Sequence, residues 1–138
     1  MADIVYYISG HGYGHAARQS PIIQRLADAG LTVEVRTPAP DKFFRAAGVT
    51  RHHQRYDIGL VQPDALRIDP AATFRWYADF LRHQPALVAR EAAHIRASDV
   101  RLIVADMPPI AFEIAAAAGL PSVAVTHFTW DWVYRPYL

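Results

Sequence analysis

Residues 10 to 15 read Gly-His-Gly-Tyr-Gly-His and directly follow an apolar run at 3–9. Two kinds of chemistry are available to such a segment. An imidazole beside a carboxylate makes a general base: the carboxylate holds one ring nitrogen and its tautomer, and the other nitrogen takes a proton from a hydroxyl. A glycine loop between a strand and a helix aims backbone N–H groups and the positive helix end at a crevice, which suits an anion or a polar oxygen. Glycine also permits close approach and positive φ.

Two familiar phosphate cradles fit poorly. A dinucleotide fingerprint needs glycine where His15 stands and an acid near the end of the second strand, where Arg36 and Thr37 stand. Arg36 alone could accommodate a phosphorylated ribose. The Walker pattern fails because no Gly-Lys-Ser/Thr follows the loop. Metal binding is not expected either. His11 and His15 could ligate together only from one face of a helix, and three glycines argue against helix there. His52 and His53 are adjacent in a strand and point to opposite faces; they, His83 and His94 read as solvated or hydrogen-bonded side chains. The chain has no cysteine, which excludes disulfides, thiolate nucleophiles and cysteine-ligated zinc.

The carboxylate best placed to meet the loop is Asp106, at the end of the apolar run 100–107. Neighbouring strands lie about 4.8 Å apart, so side chains just past the ends of the first and fourth strands can touch. His15 with Asp106 is then a candidate base dyad. Asp106 is equally well suited to cap the helix that starts at Pro108 and Pro109. The residues alone leave both readings open.

These side chains must be positioned by strands alternating with helices. Strands are expected at 3–9, 31–37, 49–54, 100–107 and 120–128, bounded by glycine, proline or charge. Helical spacing covers 17–30, with Pro21 in or just before the first turn and Gly30 as the stop. A short helix is expected at 39–48. Another spans 69–98, with Asp69 as N-cap and Pro70 at the first position, kinked or split at Pro85. A third opens at Pro108 and stops at Gly119. Residues 55–68 show no period. The alternation implies an α/β, Rossmann-like doubly wound parallel sheet in the order 3-2-1-4-5, with ligands at the switch point between strands one and four.

With 138 residues, 52% of them apolar, and a formal net charge of +1, the chain is the size of one domain and has a globular composition. Nothing points to a nucleic-acid partner. No run approaches the ~20 apolar residues of a membrane span, and the N-terminus lacks a signal-peptide pattern, so a cytoplasmic protein is expected.

The stretches at 4–30 and 102–134 resemble the opening and later strands of GT-B glycosyltransferases, in particular UDP-glycosyltransferases, lipid-linked N-acetylglucosaminyltransferases and the glycosyltransferase-like N-terminal region of arabinokinases. The resemblance implies the N-terminal, acceptor-side half of a GT-B fold across residues 1–138. The C-terminal donor-binding domain is not among these residues. It further implies an inverting, metal-independent transfer from a nucleotide-sugar donor to a hydroxyl acceptor, with no other cofactor. His15 would be the base and Asp106 its partner. Gly10, His11, Gly12, Tyr13 and Gly14 would shape or contact the substrate site, as would His127 and Trp130 from the aromatic tail. A second reading is a non-catalytic sugar- or nucleotide-binding module. In either case the aromatic end packs as core or is covered by a missing domain or a second copy, and the chain alone is expected to be silent and to self-associate.

Overall fold

The computed structural model describes residues 2–138. Its elements run β1 (Ile4–Ile8), α1 (Gly14–Asp28), β2 (Val33–Arg36), β3 (Val49–His52), α2 (Pro70–Arg96), β4 (Leu102–Asp106), α3 (Ile110–Ala118), β5 (Ser122–Ala124) and α4 (Trp130–Tyr134). Short 3₁₀ turns occupy Asp41–Phe43 and Arg135–Tyr137. All five strands are parallel, in the order β3-β2-β1-β4-β5. This is the doubly wound order expected from the sequence.

Alternation along β1 divides the core. Ile4, Tyr6 and Ile8 face α1, packing with Val33, Val35, Ala16 and Ile23. Val5 and Tyr7 face the other layer, against Ile95 of α2 and Ile110, Ala111 and Ile114 of α3. Every residue of β1 is buried, as a central parallel strand covered on both faces should be. Two expected helix ends are borne out. Asp69 accepts from the Ala72 N–H at 2.8 Å with Pro70 next in line, and Gly119 closes α3 at φ +74°.

Several boundaries differ from the sequence reading. α1 begins at Gly14 rather than 17, so Pro21 lies inside the helix. The Ala17 carbonyl, which the proline nitrogen cannot serve, is taken by the Ser20 hydroxyl at 3.3 Å. α2 is not split at Pro85 but runs through it. Pro85 is exposed, and the helix carries it at the cost of the hydrogen bond that its nitrogen cannot donate. The helix expected at 39–48 contracts to the turn Asp41–Phe43, β3 ends at His52, and β5 has three exposed residues. The segment without a period, 55–68, carries Tyr56, Asp57, Ile58 and Gly59 into the interior, with Gly59 at φ +65°.

Candidate functional site

The β1–β4 register pairs Ile8 with Asp106, and the Ser9 N–H donates to the Asp106 carbonyl at 3.1 Å. The glycine loop therefore leaves β1 directly beside the end of β4. At the second position of α1, His15 is buried and its Nδ1 lies 3.3 Å from Oδ2 of Asp106, which is fully buried. Helical spacing adds two further side chains from the same face. Arg18 Nη2 donates to Asp106 Oδ2 at 2.9 Å and Gln19 Nε2 donates to the same oxygen at 2.8 Å. Gln19 is held in turn by the Tyr6 hydroxyl and by donation to the Val125 carbonyl at 2.9 Å.

Asp106 does not cap α3. That helix starts after Pro109 with no side-chain cap, and the carboxylate is turned towards α1 instead. Burial alone would raise the Asp106 carboxyl, but its contacts with His15, Arg18 and Gln19 outweigh it and hold the group below its usual range. Met107, the next residue, is buried at φ +81°. A non-glycine side chain in that region stores backbone strain, a feature that clusters at functional sites.

Within the loop, the glycines have distinct tasks. A Cβ at Gly10 would lie 2.0 Å from Pro38 Cγ, so close approach demands glycine there, and Gly12 sits at φ +75°. Gly14 meets no obstacle. Tyr13 is 59% exposed, its ring 6.0 Å from Phe43 and 5.6 Å from Lys42 Nζ. The structure thus brings His15 to Asp106 and leaves Tyr13 facing outwards on the loop.

His11 belongs to a different cluster. Its ring meets Trp130 edge-on at 5.5 Å and fits against Gly59, where a Cβ would stand 2.7 Å from its Nδ1. Burial pushes the His11 imidazole down, opposed by the nearby Asp57. Asp57 is itself buried, accepts the Trp130 indole N–H at 2.7 Å on Oδ2 and has no hydrogen-bond partner on Oδ1. Burial raises its carboxyl, with Ser9 and Trp130 pulling the other way. The Tyr134 hydroxyl donates to the Gly59 carbonyl at 2.7 Å. Asp57, Arg18 and Gln19 were not singled out from the sequence. The last two follow from i+3 and i+4 spacing once α1 is seen to include His15, whereas the aperiodic segment around Asp57 carried no signal.

The aromatic tail divides. Trp130 and Tyr134 are packed with Met107, while Phe128, Trp132 and Tyr137 stay exposed, as does His127. Phe128 approaches the His15 ring edge-on at 6.3 Å, and Trp132 lies tilted against Phe128 at 6.0 Å, so the two rings form a wall beside His15. A mainly apolar cavity of about 570 Å³ opens between Phe74, Tyr77, Met107, Phe112, Trp130 and Tyr134. Arg36, the candidate for a phosphorylated ribose, is buried against Glu34, Glu91 and Tyr56. Among the described residues no group of three His, Cys, Asp or Glu side chains is placed to hold a metal ion, and no helix is long and apolar enough to cross a membrane.

No family model matches the chain. An L-arabinokinase from Arabidopsis thaliana is 34% identical over 138 aligned positions, covering 96% of this chain and 13% of that protein. The chain therefore spans about an eighth of the curated relative that it matches. Among solved structures, a UGT transferase of Siraitia grosvenorii in complex with UDP matches with a TM-score of 0.57 at 19% identity, over 88% of this chain and 27% of that one. Phytolacca americana UGT2, complexed with UDP-2-fluoro-glucose and pterostilbene, matches with a TM-score of 0.60 at 13% identity, over 91% and 30%. A C-terminal domain of a Pyrococcus furiosus hydrogenase matches at 0.52 and 15% identity, over 88% of each chain, so the fold alone does not name an activity. The five-stranded sheet, its strand order and these neighbours make the chain a GT-B-like α/β domain, with sequence similarity to a segment of a plant L-arabinokinase.

Proposed function

We propose that this chain is the acceptor-side domain of an inverting, metal-independent glycosyltransferase. The observation that carries the reading is the buried contact between His15 and Asp106 at the foot of the glycine loop. In the reacting state Asp106 holds the Nδ1–H of His15, and Nε2 removes the proton of an acceptor hydroxyl. The freed oxygen attacks the anomeric carbon of a nucleotide sugar, the bond to the nucleoside diphosphate breaks, and the configuration inverts. Support for a nucleotide-sugar donor comes from the two plant neighbours, whose structures hold UDP and UDP-2-fluoro-glucose. The wall of Phe128 and Trp132 and the apolar cavity behind Met107 suit the acceptor. The donor is gripped by a further domain, which also covers the exposed part of the aromatic tail.

A positioned base contributes on the order of 10² to 10⁴ in rate. His15→Ala, in the longer protein to which this domain contributes, should lose that factor in kcat with little change in donor KM. Transfer within a few-fold of wild type would remove His15 as the base.

The similarity to an L-arabinokinase segment favours a second reading, a sugar- or nucleotide-binding module that transfers nothing. Calorimetric titration with nucleotide sugars, with donor hydrolysis followed in parallel, separates the two. Binding without turnover in the longer protein supports the module.

A further inference from the structure

Three nitrogens crowd one oxygen of Asp106. Gln19 reaches Oδ2 at 2.8 Å, Arg18 at 2.9 Å and His15 Nδ1 at 3.3 Å. Oδ1, equally buried, has no partner. Arg18 Nη2 also lies 3.2 Å from His15 Nδ1. Heavy atoms do not carry the proton, but the count of donors and acceptors does.

A guanidinium only donates. It can therefore bond to His15 Nδ1 only when that nitrogen is bare. The Nη2 group has two hydrogens, enough for Asp106 Oδ2 and His15 Nδ1 together. Gln19 then fills the second lone pair of Oδ2, and bare Nδ1, the farthest of the three at 3.3 Å, faces Oδ2 lone pair to lone pair, a repulsion screened by the Arg18 hydrogens that bridge the two atoms. The other tautomer is worse served. With the proton on Nδ1, Oδ2 would face three donors, and an imidazole N–H would meet a guanidinium N–H at 3.2 Å with no acceptor for the latter.

We propose that Arg18 is a positioning residue that latches His15 in the tautomer with its proton on Nε2. This rests on the reading of His15 as a base, because removal of a hydroxyl proton at Nε2 requires that nitrogen to be free. Arg18 must then leave Nδ1 before the site can act. The Arg18 side chain is 32% exposed while Asp106 is sealed, so the arginine is the member able to move. The ligand class that draws it away is a phosphate-bearing anion, with which arginine forms charge-assisted, bidentate pairs. The diphosphate of an incoming donor would thus release the base in the same step that delivers the sugar.

Long-range ¹H–¹⁵N correlation spectra report which ring nitrogen of each histidine is protonated. They are recorded on the chain at a pH where the rings are neutral, with the His15 signals identified by their loss in His15→Gln. The expected result is Nε2–H for His15 in the wild type and Nδ1–H in Arg18→Met, with inorganic pyrophosphate moving the wild-type signals in the same direction. A wild-type His15 already protonated on Nδ1 overturns the latch, and that spectrum decides even where Arg18→Met fails to fold. An unchanged tautomer in folded Arg18→Met also overturns it. Pyrophosphate that leaves the signals in place overturns the anion as the release. None of these readouts depends on sugar transfer, so the latch can fail while the base assignment stands, and the reverse.

Discussion

Trp130→Phe tests how the aromatic tail is tied to the loop beside the site. The substitution deletes the indole N–H that meets Asp57 Oδ2 at 2.7 Å, on a carboxylate whose other oxygen already lacks a partner. A hydrogen bond to a charged acceptor is worth about 1.5 to 3 kcal/mol, and the smaller ring, stacked on Tyr134 at 5.7 Å, leaves a void worth about 1 kcal/mol more. At a pH above the folded pKa of Asp57, where the carboxyl is ionised, a loss of about 3 kcal/mol is expected from urea unfolding followed by circular dichroism. In an Asp57→Asn background the acceptor is neutral, so the same substitution should cost only about 2 kcal/mol, a coupling of about 1 kcal/mol. The pH dependence has a defined sign. Burial raises the folded Asp57 carboxyl above its unfolded value, so its proton is kept to higher pH. That stabilisation is complete below the unfolded pKa and is lost as pH rises through the folded one. The indole bond favours the ionised form, so the penalty of Trp130→Phe should shrink as pH falls and Asp57 takes up its proton. An equal penalty in both backgrounds and at both ends of the pH range would refute the tie between Asp57 and Trp130.

Two further expectations concern the backbone around the site. Gly10→Ala drives a Cβ to 2.0 Å from the Pro38 ring and should cost about 3 kcal/mol, whereas Gly14→Ala, with open space and a helical position, should gain up to about 0.5 kcal/mol; equal effects in urea unfolding would refute the close approach at Gly10. Pro85→Ala restores an N–H to the interior of α2 and should raise stability by about 2 kcal/mol, while no gain in the unfolding midpoint would show that the helix relies on the proline.

Much of the fold was legible because its signals are local. Apolar runs separated by glycine and proline announced the strands, and the rule of right-handed crossovers ordered them. That order put His15 within reach of Asp106 but left a cap of α3 equally open for the carboxylate. The helix start was misplaced because three glycines were read together as breakers. Only Gly12 takes a positive φ in the loop, and Gly14 enters α1 without strain. That shift of three residues concealed Arg18 and Gln19. At Pro85 the break expected from local propensity does not occur, because a long helix packed on the sheet tolerates one proline on its exposed face.

By itself the sequence determined that a glycine loop with a histidine would stand at the switch point of a parallel sheet. Strand length, strand order and the loop's position depend on short-range hydrogen bonding and burial, which a periodic pattern records. Only the tertiary structure decided what that histidine meets. The carboxylate lies 91 residues away, and its shared oxygen, the competing arginine and the buried Asp57 beneath Trp130 are set by packing between elements distant in the chain. Such contacts leave no period in a sequence, because each depends on the position of a side chain that another element holds.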